Sequence, residues 1–492
     1  VRTQLEELSE RQEGDYWQAQ LGKAAALEGE GAFMTAVYSL AASLVSGVFG
    51  KAGAGKGGAT GIQAVFEDDD VSKPLLTSPV DVLRSVSVFA ERMNEPRTAN
   101  VPATMDLLRA AGWETDGDGA TPEAGPGPNG AAEGSATEAA VVFSEDAFEA
   151  SLARMRVRQA VGVDGWRGVL LRWADGWART AYLAALRGML QRWGGWPEAW
   201  HQWVVSMIEK KGKDPRVFAN LRDIWQSCHG WKIFTGMTRL RFQESGGEAM
   251  PGFASGFRRR RNALEAVLTA QLGGEQAAAT CSPLARIFVD LKGFFMGVSV
   301  YVEYALERAI GVPQSVAECM FAFSQDREAR IDTGTHGLSP GFKVKQGLGQ
   351  GCSNAPDRAM IDLLPTQLTA ARLVPGLAFV GRERSSPATT GAARHADSTR
   401  LQSVLQGWFA DDANGQAGRA PMLALFADVV WMASFVTGNK VGIDAKGRKT
   451  AISNAYCHPT NGPTVDTTDW QLELPDGKTV PVIAVPYCLL GN

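Results

Sequence analysis

Hydrophobic and polar positions along the chain follow two periods, and together they predict a mixed α+β protein. Apolar residues at helical spacing predict helices over 33–49, 78–93, 103–111 and 299–310. Shorter apolar runs, some alternating with polar residues, predict strands over 204–208, 220–224, 287–291, 329–333, 342–345 and 401–410. Residues 1–113 are predicted to form a helical N-terminal region.

The region 114–140 separates that N-terminal region from the remainder of the chain. Its composition is almost entirely Gly, Ala, Pro, Glu, Asp, Ser and Thr. Such a segment buries too little apolar surface to offset chain entropy, so it is predicted to be a disordered linker. Ser144 is a predicted N-cap for the helix that follows. Residues 381–397 are interpreted as a polar insertion.

Composition limits the class of protein. The chain has 492 residues, 45% hydrophobic and 21% charged, with a net charge of −4, so nucleic acid would have to be bound by local basic clusters. Its six cysteines include no C-x-x-C pair, which favours a reducing compartment. The apolar run 33–49 contains serines and has helical periodicity, which indicates a packed helix rather than a membrane span. Because the chain begins with Val1, we expect a fragment of a longer polyprotein.

A glycine-rich segment ending in Lys56 matches the phosphate-binding pattern G-x-x-x-x-G-K. Gly57 occupies the position where that motif has Ser or Thr, and the segment follows a predicted helix rather than a strand. A flexible linker is therefore the favoured interpretation. A nucleotide-binding ATPase that uses Lys56 is the alternative.

Three carboxylates are the candidate metal ligands. Asp411 and Asp412 follow a short apolar run, and Asp290 interrupts the apolar run 287–291. A buried strand tolerates an aspartate only when the carboxylate is paired or binds a metal. Clusters of basic residues at 210–213 with Arg222, at 258–261, and at 343 and 345 could bind phosphate groups, although solvent-exposed loops would have the same composition.

Taken in order, these segments resemble the reverse transcriptase of non-LTR (LINE-like) retrotransposons, from about residue 143 to 491. Val161–Gly165, Ile208–Gly212, Asn220–Ile224 and Gly256–Arg258 are similar to the fingers motifs of that family. The later motifs, A to E, are similar to Phe288–Lys292 with Phe295, Gln350–Cys352 with Pro356, Phe409–Asp412, Lys449–Thr450, and Tyr487–Gly491.

The resemblance implies RNA-directed DNA synthesis that uses two Mg²⁺ ions, or Mn²⁺, with an RNA template, a DNA primer and dNTPs as partners and no membrane. The implied catalytic residues are Asp290, Asp411, Asp412 and Lys449, with Lys446 as an alternative to Lys449. The implied metal ligands are Asp290, Leu291, Asp411 and Asp412. The implied dNTP-binding residues are Lys210, Lys211, Arg222, Phe295, Gln350 and Gly351, with Phe295 excluding a ribose 2′-hydroxyl. The implied nucleic-acid contacts are Arg258, Arg259, Arg260, Arg261, Lys343, Lys345, Tyr487, Leu489 and Gly491.

The implied architecture is a right-hand polymerase of the α+β class. It comprises fingers at 141–281, a palm with an antiparallel sheet at 282–475, a fingers insertion at about 312–349, and motif E with the start of a thumb at 476–492. An endonuclease upstream and a thumb and other domains downstream are expected to belong to the longer polyprotein. The expected location is intracellular, and nuclear in a eukaryotic host. A truncated thumb implies low processivity.

The chain departs from the family pattern at several positions. Met296 and Gly297 replace Asp-Ser, residues 353–355 replace Pro-Leu-Ser, and Asp223 replaces a proline. Residues 413–418 are polar where a second apolar hairpin strand is expected. Three alternatives follow: a decayed, inactive copy that only binds RNA, a group II intron-type reverse transcriptase, and an RNA-templated RNA polymerase, the last disfavoured by Phe295.

Overall fold

The structure is a computed structural model. It describes residues 62–93, 95–113, 136–157, 159–192, 194–210, 213–258, 261, 273, 284–349, 351–374, 405–409, 412–417, 420–443, 450–454 and 472–483.

Strand β5 (Ala285–Leu291) is at the centre of the larger sheet. Its antiparallel neighbours are β9 (Asp412–Ala417) on one side and β11 (Ala451–Asn454) and the short β10 (Val441–Gly442) on the other. The remaining strands of this sheet are β8 (Leu405–Phe409), antiparallel to β9, and β14 (Val482–Ile483), parallel to β11. Between β11 and β14 in sequence, β12 (Leu472–Glu473) and β13 (Thr479–Val480) form a separate antiparallel pair. The predicted apolar strand around Asp290 is confirmed, and the strands of this sheet that lie within 282–475 are antiparallel as predicted, whereas β14, beyond that range, pairs in parallel with β11.

Helix α12 (Ala420–Thr437) covers one face of this sheet. The ring of Phe426 on α12 lies against Gly415 on β9, where a Cβ would approach the ring to 2.8 Å. Ala413 and Ala417, two residues before and after Gly415, lie on the same face of β9 and are also buried. Small residues on β9 therefore allow a large aromatic side chain to pack closely.

The polar stretch after Asp412 forms a strand, so its composition does not prevent a hairpin. Because β9 lies between β5 and β8, its backbone groups are hydrogen-bonded on both sides. Asn414 and Gln416 are fully buried on the face opposite α12. Gln416 accepts a hydrogen bond from Nε of Arg286 on β5 at 3.2 Å.

A second sheet has the strand order β4-β3-β6-β7. The predicted hairpin is confirmed as β3 (Gln202–Glu209) and β4 (Leu221–Gln226), which are antiparallel. The second predicted hairpin is confirmed as β6 (Arg327–Asp332) and β7 (Phe342–Val344). Since β6 pairs in parallel with β3, the two hairpins form one sheet although about 100 residues separate them in sequence.

Helices pack against both sheets. Those preceding β5 are α1 (Pro79–Met93), α2 (Val101–Ala110), α3 (Ala136–Val142), α4 (Glu145–Ala153), α5 (Gly176–Arg192), α6 (Glu198–His201) and α7 (His229–Ala249). Those following β5 and preceding α12 are α8 (Phe294–Gly297), α9 (Val300–Ala309), α10 (Gln314–Gln325) and α11 (Ala355–Leu373). Helix α11 is buried over most of its length and contacts α2, α7, α9 and α12.

The N-terminal region is only partly helical as predicted. Helices α1 and α2 agree with the predicted spans, but residues Val65–Phe66 and Leu75–Leu76 form a short hairpin of strands β1 and β2. Helix α2 packs on α9, α11 and α12, which joins this region to the rest of the fold. The predicted helix over 33–49 and Lys56 lie outside the described residues.

The predicted linker 114–140 is too long at its C-terminal end. Residues 136–140 belong to α3, whose Ala139 and Val142 are buried against α5 and α7. Two apolar side chains at helical spacing are enough to attach this segment to the fold. Ser144 caps α4 as predicted, accepting a hydrogen bond from the amide of Ala147 at 3.2 Å.

The architecture is therefore mixed α+β. Among the described residues, no helix has the length and hydrophobicity needed to cross a lipid bilayer. The described cysteines, Cys228, Cys319 and Cys352, are free and buried.

Candidate active site

Two of the predicted carboxylates lie opposite each other in the larger sheet. Asp290 near the end of β5 is the register partner of Asp412 at the start of β9. Partner residues on antiparallel strands have Cα atoms about 5 Å apart and side chains on the same face. Both aspartates are partly buried. Two carboxylates at such a distance repel each other unless a cation or a proton compensates them.

The third predicted carboxylate lies in the connection between β8 and β9. Phe409 is the register partner of Asp412, so two residues, 410 and 411, join the strands. Asp411 and its neighbour Ala410 lie outside the described residues. In sequence, Asp411 immediately precedes Asp412.

A glycine and a threonine lie beside Asp290 on its other side. Gly442 on β10 is a register partner of Asp290, and a Cβ built on Gly442 would lie 2.8 Å from Oδ2 of that aspartate. The amide of Asp290 donates a hydrogen bond to Oγ1 of the buried Thr450 at 3.3 Å. Thr450 follows Lys449, which is itself outside the described ranges, as is Lys446. The predicted motif D segment therefore borders Asp290.

Phe295 lies on the short helix α8, immediately after β5. It is partly buried, and its ring contacts Phe257 edge-on with 6.1 Å between centroids. The carbonyl of Phe295 accepts a hydrogen bond from the amide of Leu348 at 2.7 Å, and that of Val298 accepts one from Gly347 at 2.8 Å. Leu291, between Asp290 and this turn, is buried.

The glycine-rich loop before α11 lies between this turn and β4. Gly351 has a φ of +121°, and a Cβ there would lie 2.5 Å from the carbonyl oxygen of Trp225. Only glycine fits a backbone of this shape in so close an approach. Gln350 lies outside the residues that are described. Ser353 donates a hydrogen bond to the carbonyl of Lys232 on α7 at 3.2 Å.

The start of α7 also contacts residues on either side of the predicted fingers loop 161–165. His229 accepts a hydrogen bond from the amide of Gly168 through Nδ1 at 3.0 Å, and its Nε2 lies 2.9 Å from the carbonyl of Ala160. Burial lowers the pKa of His229 to about 4, with the nearby charge of Lys232 acting in the same direction. Lys232 also donates to Ala160, and burial lowers its pKa to about 8.

The predicted triphosphate-binding cations differ in their exposure and in their hydrogen bonds. Arg222 on β4 is exposed, in register with Ile208. Lys210, in contrast, donates a hydrogen bond from Nζ to the carbonyl of Ala219 at 2.8 Å, so its ammonium closes the β3–β4 turn. Lys211 lies outside the described part of the chain.

The prediction that all four arginines at 258–261 are solvated or contact phosphate is wrong for Arg258. Its Nη1 donates to the carbonyls of Pro251 and Ala254, each at 2.9 Å, and its Nη2 donates to Gly247 at 3.1 Å. Gly247 belongs to the last turn of α7, whose carbonyls have no partner within the helix. Arg258 therefore caps α7. Arg261 is exposed, and Arg259 and Arg260 are not described.

The basic strand face predicted on β7 is present. Phe342 and Val344 are buried, whereas Lys343 and Lys345 are exposed. Lys343 forms an ion pair with Asp326 at 2.8 Å, which leaves Lys345 as the cation of this face with no such ion pair among the described residues. Tyr487, Leu489 and Gly491 lie beyond the described residues.

Two residues of this site have no signal in the sequence. Arg97 and Gln346 connect the segment between α1 and α2 to the turn that carries Phe295. The amide of Arg97 donates to Oε1 of Gln346, and Nε2 of Gln346 donates to the carbonyl of Glu95, each at 2.8 Å. A single arginine in a polar connector is unremarkable in sequence, and its role depends on contacts 249 residues away.

The carboxylate oxygens of these aspartates are suitable ligands for a divalent cation. Magnesium prefers oxygen ligands and retains several waters, so two or three carboxylates are sufficient. Within the described ranges, no group of three or more His, Cys, Asp or Glu side chains is placed to bind a metal ion. Asp411, the third member of the predicted set, is not within those ranges, and the described pair is Asp290 with Asp412.

No protein-family model matches the chain, and no curated protein matches it significantly.

Proposed function

We propose that this protein is an RNA-directed DNA polymerase of the non-LTR retrotransposon type, which adds dNTPs to a primer 3′-hydroxyl. The observation that carries the proposal is the register of Asp290 with Asp412 on adjacent antiparallel strands. Nucleotide addition builds negative charge around the α-phosphate, and carboxylate-bound cations are the usual means of stabilising it.

Neighbouring segments support the same proposal. Thr450 of the motif D segment accepts a hydrogen bond from the amide of Asp290, Gly442 on β10 lies beside the same aspartate, and the glycine-rich loop is hydrogen-bonded to the turn that carries Phe295. A nucleotide site needs the carboxylates, the motif D segment, the glycine-rich loop and the turn of Phe295 close together, although these segments are distant in sequence. In a right-hand polymerase, the larger sheet would be the palm and the second sheet the fingers.

Asp290 and Asp412, with Asp411 and the main chain at Leu291, would hold the two Mg²⁺ ions. When bound, these ions supply activation of the primer hydroxyl and neutralisation of the triphosphate charge. Phe295 would contact the sugar at C2′ and exclude a ribose hydroxyl. Gly351 and Gln350 would contact the incoming base pair.

Exposed cations would bind the phosphate groups. Arg222 would contact the triphosphate, since its guanidinium is not engaged in any ion pair among the described residues, whereas Lys210 is committed to its own turn. Lys345 and Arg261 would contact the nucleic-acid backbone, and such contacts weaken as salt concentration rises. Lys449, next to Thr450, would protonate the leaving pyrophosphate.

Primer extension on an RNA template with Mg²⁺ and dNTPs tests the proposal. The wild-type protein is expected to extend the primer, and Asp290→Ala, Asp411→Ala and Asp412→Ala to extend it at least about 100-fold more slowly while binding template equally well. Asp106→Ala, at a surface ion pair, is the control and should retain activity.

Two outcomes contradict the proposal. A wild-type protein that binds RNA but adds no nucleotide would be an inactive RNA-binding copy. A protein that extends primers equally well after the aspartates are replaced would use a different site.

A further inference from the structure

The segment connecting α1 to α2 contacts two separate parts of the candidate nucleotide site. Glu95 and Arg97 hydrogen-bond to the side chain of Gln346, which is buried at the start of the glycine-rich loop. These bonds use both the oxygen and the nitrogen of the Gln346 amide, so its orientation is fixed. The N-terminal region thus anchors the glycine-rich loop.

The same segment also contacts the turn that follows β5. Nη2 of Arg97 donates to the carbonyl of Lys292 at 3.0 Å and to that of Gly293 at 3.3 Å. Gly293 has a left-handed backbone, with φ 57° and ψ 47°, and begins α8. The guanidinium therefore holds the two carbonyls at the point where the chain leaves the strand of Asp290 and enters the helix of Phe295.

Gly297, at the end of α8, provides the space for this guanidinium. A Cβ built on Gly297 would overlap Nη1 and Cζ of Arg97. Any residue other than glycine at this position would displace the arginine. Gly297 and Arg97 are therefore sterically coupled.

The contacts form a closed ring around Phe295. Arg97 binds the turn before Phe295, Gln346 joins Arg97 to the loop, and the loop returns to the carbonyl of Phe295 through the amide of Leu348. Arg97 is partly buried, and this burial lowers its pKa. Nη1 of Arg97 has no hydrogen-bond partner among the described residues. Burying a guanidinium with an unpaired nitrogen costs free energy, which is unusual for a residue in a loop between two helices.

We propose that Arg97 is a positioning residue that fixes Phe295 and thereby sets the discrimination between deoxyribonucleotides and ribonucleotides. This inference rests on the proposed function. Exclusion of a single hydroxyl requires an aromatic wall held to within a fraction of an ångström. The ring of contacts constrains the backbone on both sides of Phe295, whereas the aromatic side chain alone does not.

The first test measures the ratio of rNTP to dNTP incorporation. Arg97→Ala is expected to raise this ratio roughly tenfold by releasing the turn. Arg84→Ala, at an exposed position on α1, is the matched control and should leave the ratio unchanged. Phe295→Val is the reference. Arg97→Ala should raise the ratio little further in the Phe295→Val background, because both changes act through the aromatic side chain of Phe295.

A merely structural role would give a different result. If Arg97→Ala lowers the melting temperature and reduces dNTP and rNTP incorporation equally, the proposal is overturned. The same holds if its effect on the ratio is fully additive with that of Phe295→Val.

The second test does not depend on activity. Hydrogen exchange of the amides at 293–298 and 346–348 should be faster in Arg97→Ala than in wild type, with no change in Arg84→Ala. Gly297→Ser should give the same acceleration in wild type and a smaller one in the Arg97→Ala background. Unchanged exchange in both variants overturns the proposal even in a fully active enzyme, whereas a lack of polymerase activity with accelerated exchange contradicts only the proposed function.

Discussion

Gly442 and Asp290 are register partners, and any Cβ on Gly442 would lie 2.8 Å from Oδ2 of that aspartate. Because Gly442 on β10 has no side chain, the Asp290 carboxylate has space on the side that faces β10. The short strand β10 shapes the candidate metal site although it contributes no ligand to it.

Gly442→Ala should reduce polymerase activity without unfolding the protein. The added methyl group would push the Asp290 carboxylate out of place, and a misplacement of about 1 Å typically lowers the rate roughly 100-fold. Primer-extension rates at several Mg²⁺ concentrations measure the effect, and the variant should require more Mg²⁺. Gly252→Ala is the control, since a Cβ there meets nothing within 4 Å. Equal activity of the two variants would show that Asp290 does not need this space.

Asp412→Asn should raise the melting temperature in EDTA while abolishing nucleotide addition. Asp290 and Asp412 are directly opposite each other on adjacent strands, and like charges at such positions are destabilising, so neutralising one of them should stabilise the fold. We expect an increase of about 2 °C, corresponding to roughly 1 kcal/mol. Thermal unfolding with and without Mg²⁺ measures it, and the stabilisation that Mg²⁺ gives the wild type should be smaller in the variant. A lower melting temperature in EDTA would mean that the negative charge of Asp412 stabilises the fold, and would contradict the prediction.

Arg258→Ala and Lys345→Ala should have opposite phenotypes. Loss of Arg258 removes three hydrogen bonds to main-chain carbonyls near the end of α7 and should lower the free energy of unfolding by about 1–3 kcal/mol. Loss of the exposed Lys345 should leave stability unchanged. It should reduce the slope of the logarithm of the RNA-binding constant against the logarithm of salt concentration by about 1. Denaturant unfolding and RNA titrations at several salt concentrations distinguish the two effects. A reduced slope for Arg258→Ala would mean that its cap opens to bind phosphate.

His229 should make the stability of the protein depend on pH between about 6.5 and 4. Burial lowers the pKa of His229 from 6.5 to about 4, so the unfolded chain takes up a proton at a higher pH than the folded one. Its stabilising contribution is complete above pH 6.5 and is lost as the pH falls to about 4, in total about 3 kcal/mol. Urea unfolding across this range measures it for the wild type and for His229→Gln, whose pH dependence should be flatter.

Local patterns in the sequence predicted much of the secondary structure. Alternation at Phe342–Val344, the apolar run around Asp290 and the serine cap of α4 each depend on neighbours within a few residues, and the structure contains all three. The Gly351 turn could also be anticipated from its glycines. The predicted length of the linker is wrong because Ala139 and Val142 are weak signals when tertiary packing is unknown.

Contacts between distant segments could not be predicted in the same way. Nothing near Arg258 in sequence indicates that it caps a helix, and nothing near Arg97 indicates that Gly297 receives its guanidinium. The polar strand β9 is a similar case, because its two strand neighbours and Phe426 stabilise it rather than its own composition. The apolar runs in the sequence located the carboxylates, but only the register identifies Asp412 as the described partner of Asp290.

The packing of α2 on α12 has a consequence for how the protein is made. The amide of Asn100 binds the carbonyl of Val436 at 2.9 Å, and Thr104, one turn later, lies 332 residues before Val436 in sequence. A ribosome needs roughly twenty seconds to a minute to synthesise a stretch of that length. During this time the apolar face of α2 has no partner on α12, so the emerging N-terminal region must either remain soluble by itself or be protected by a chaperone.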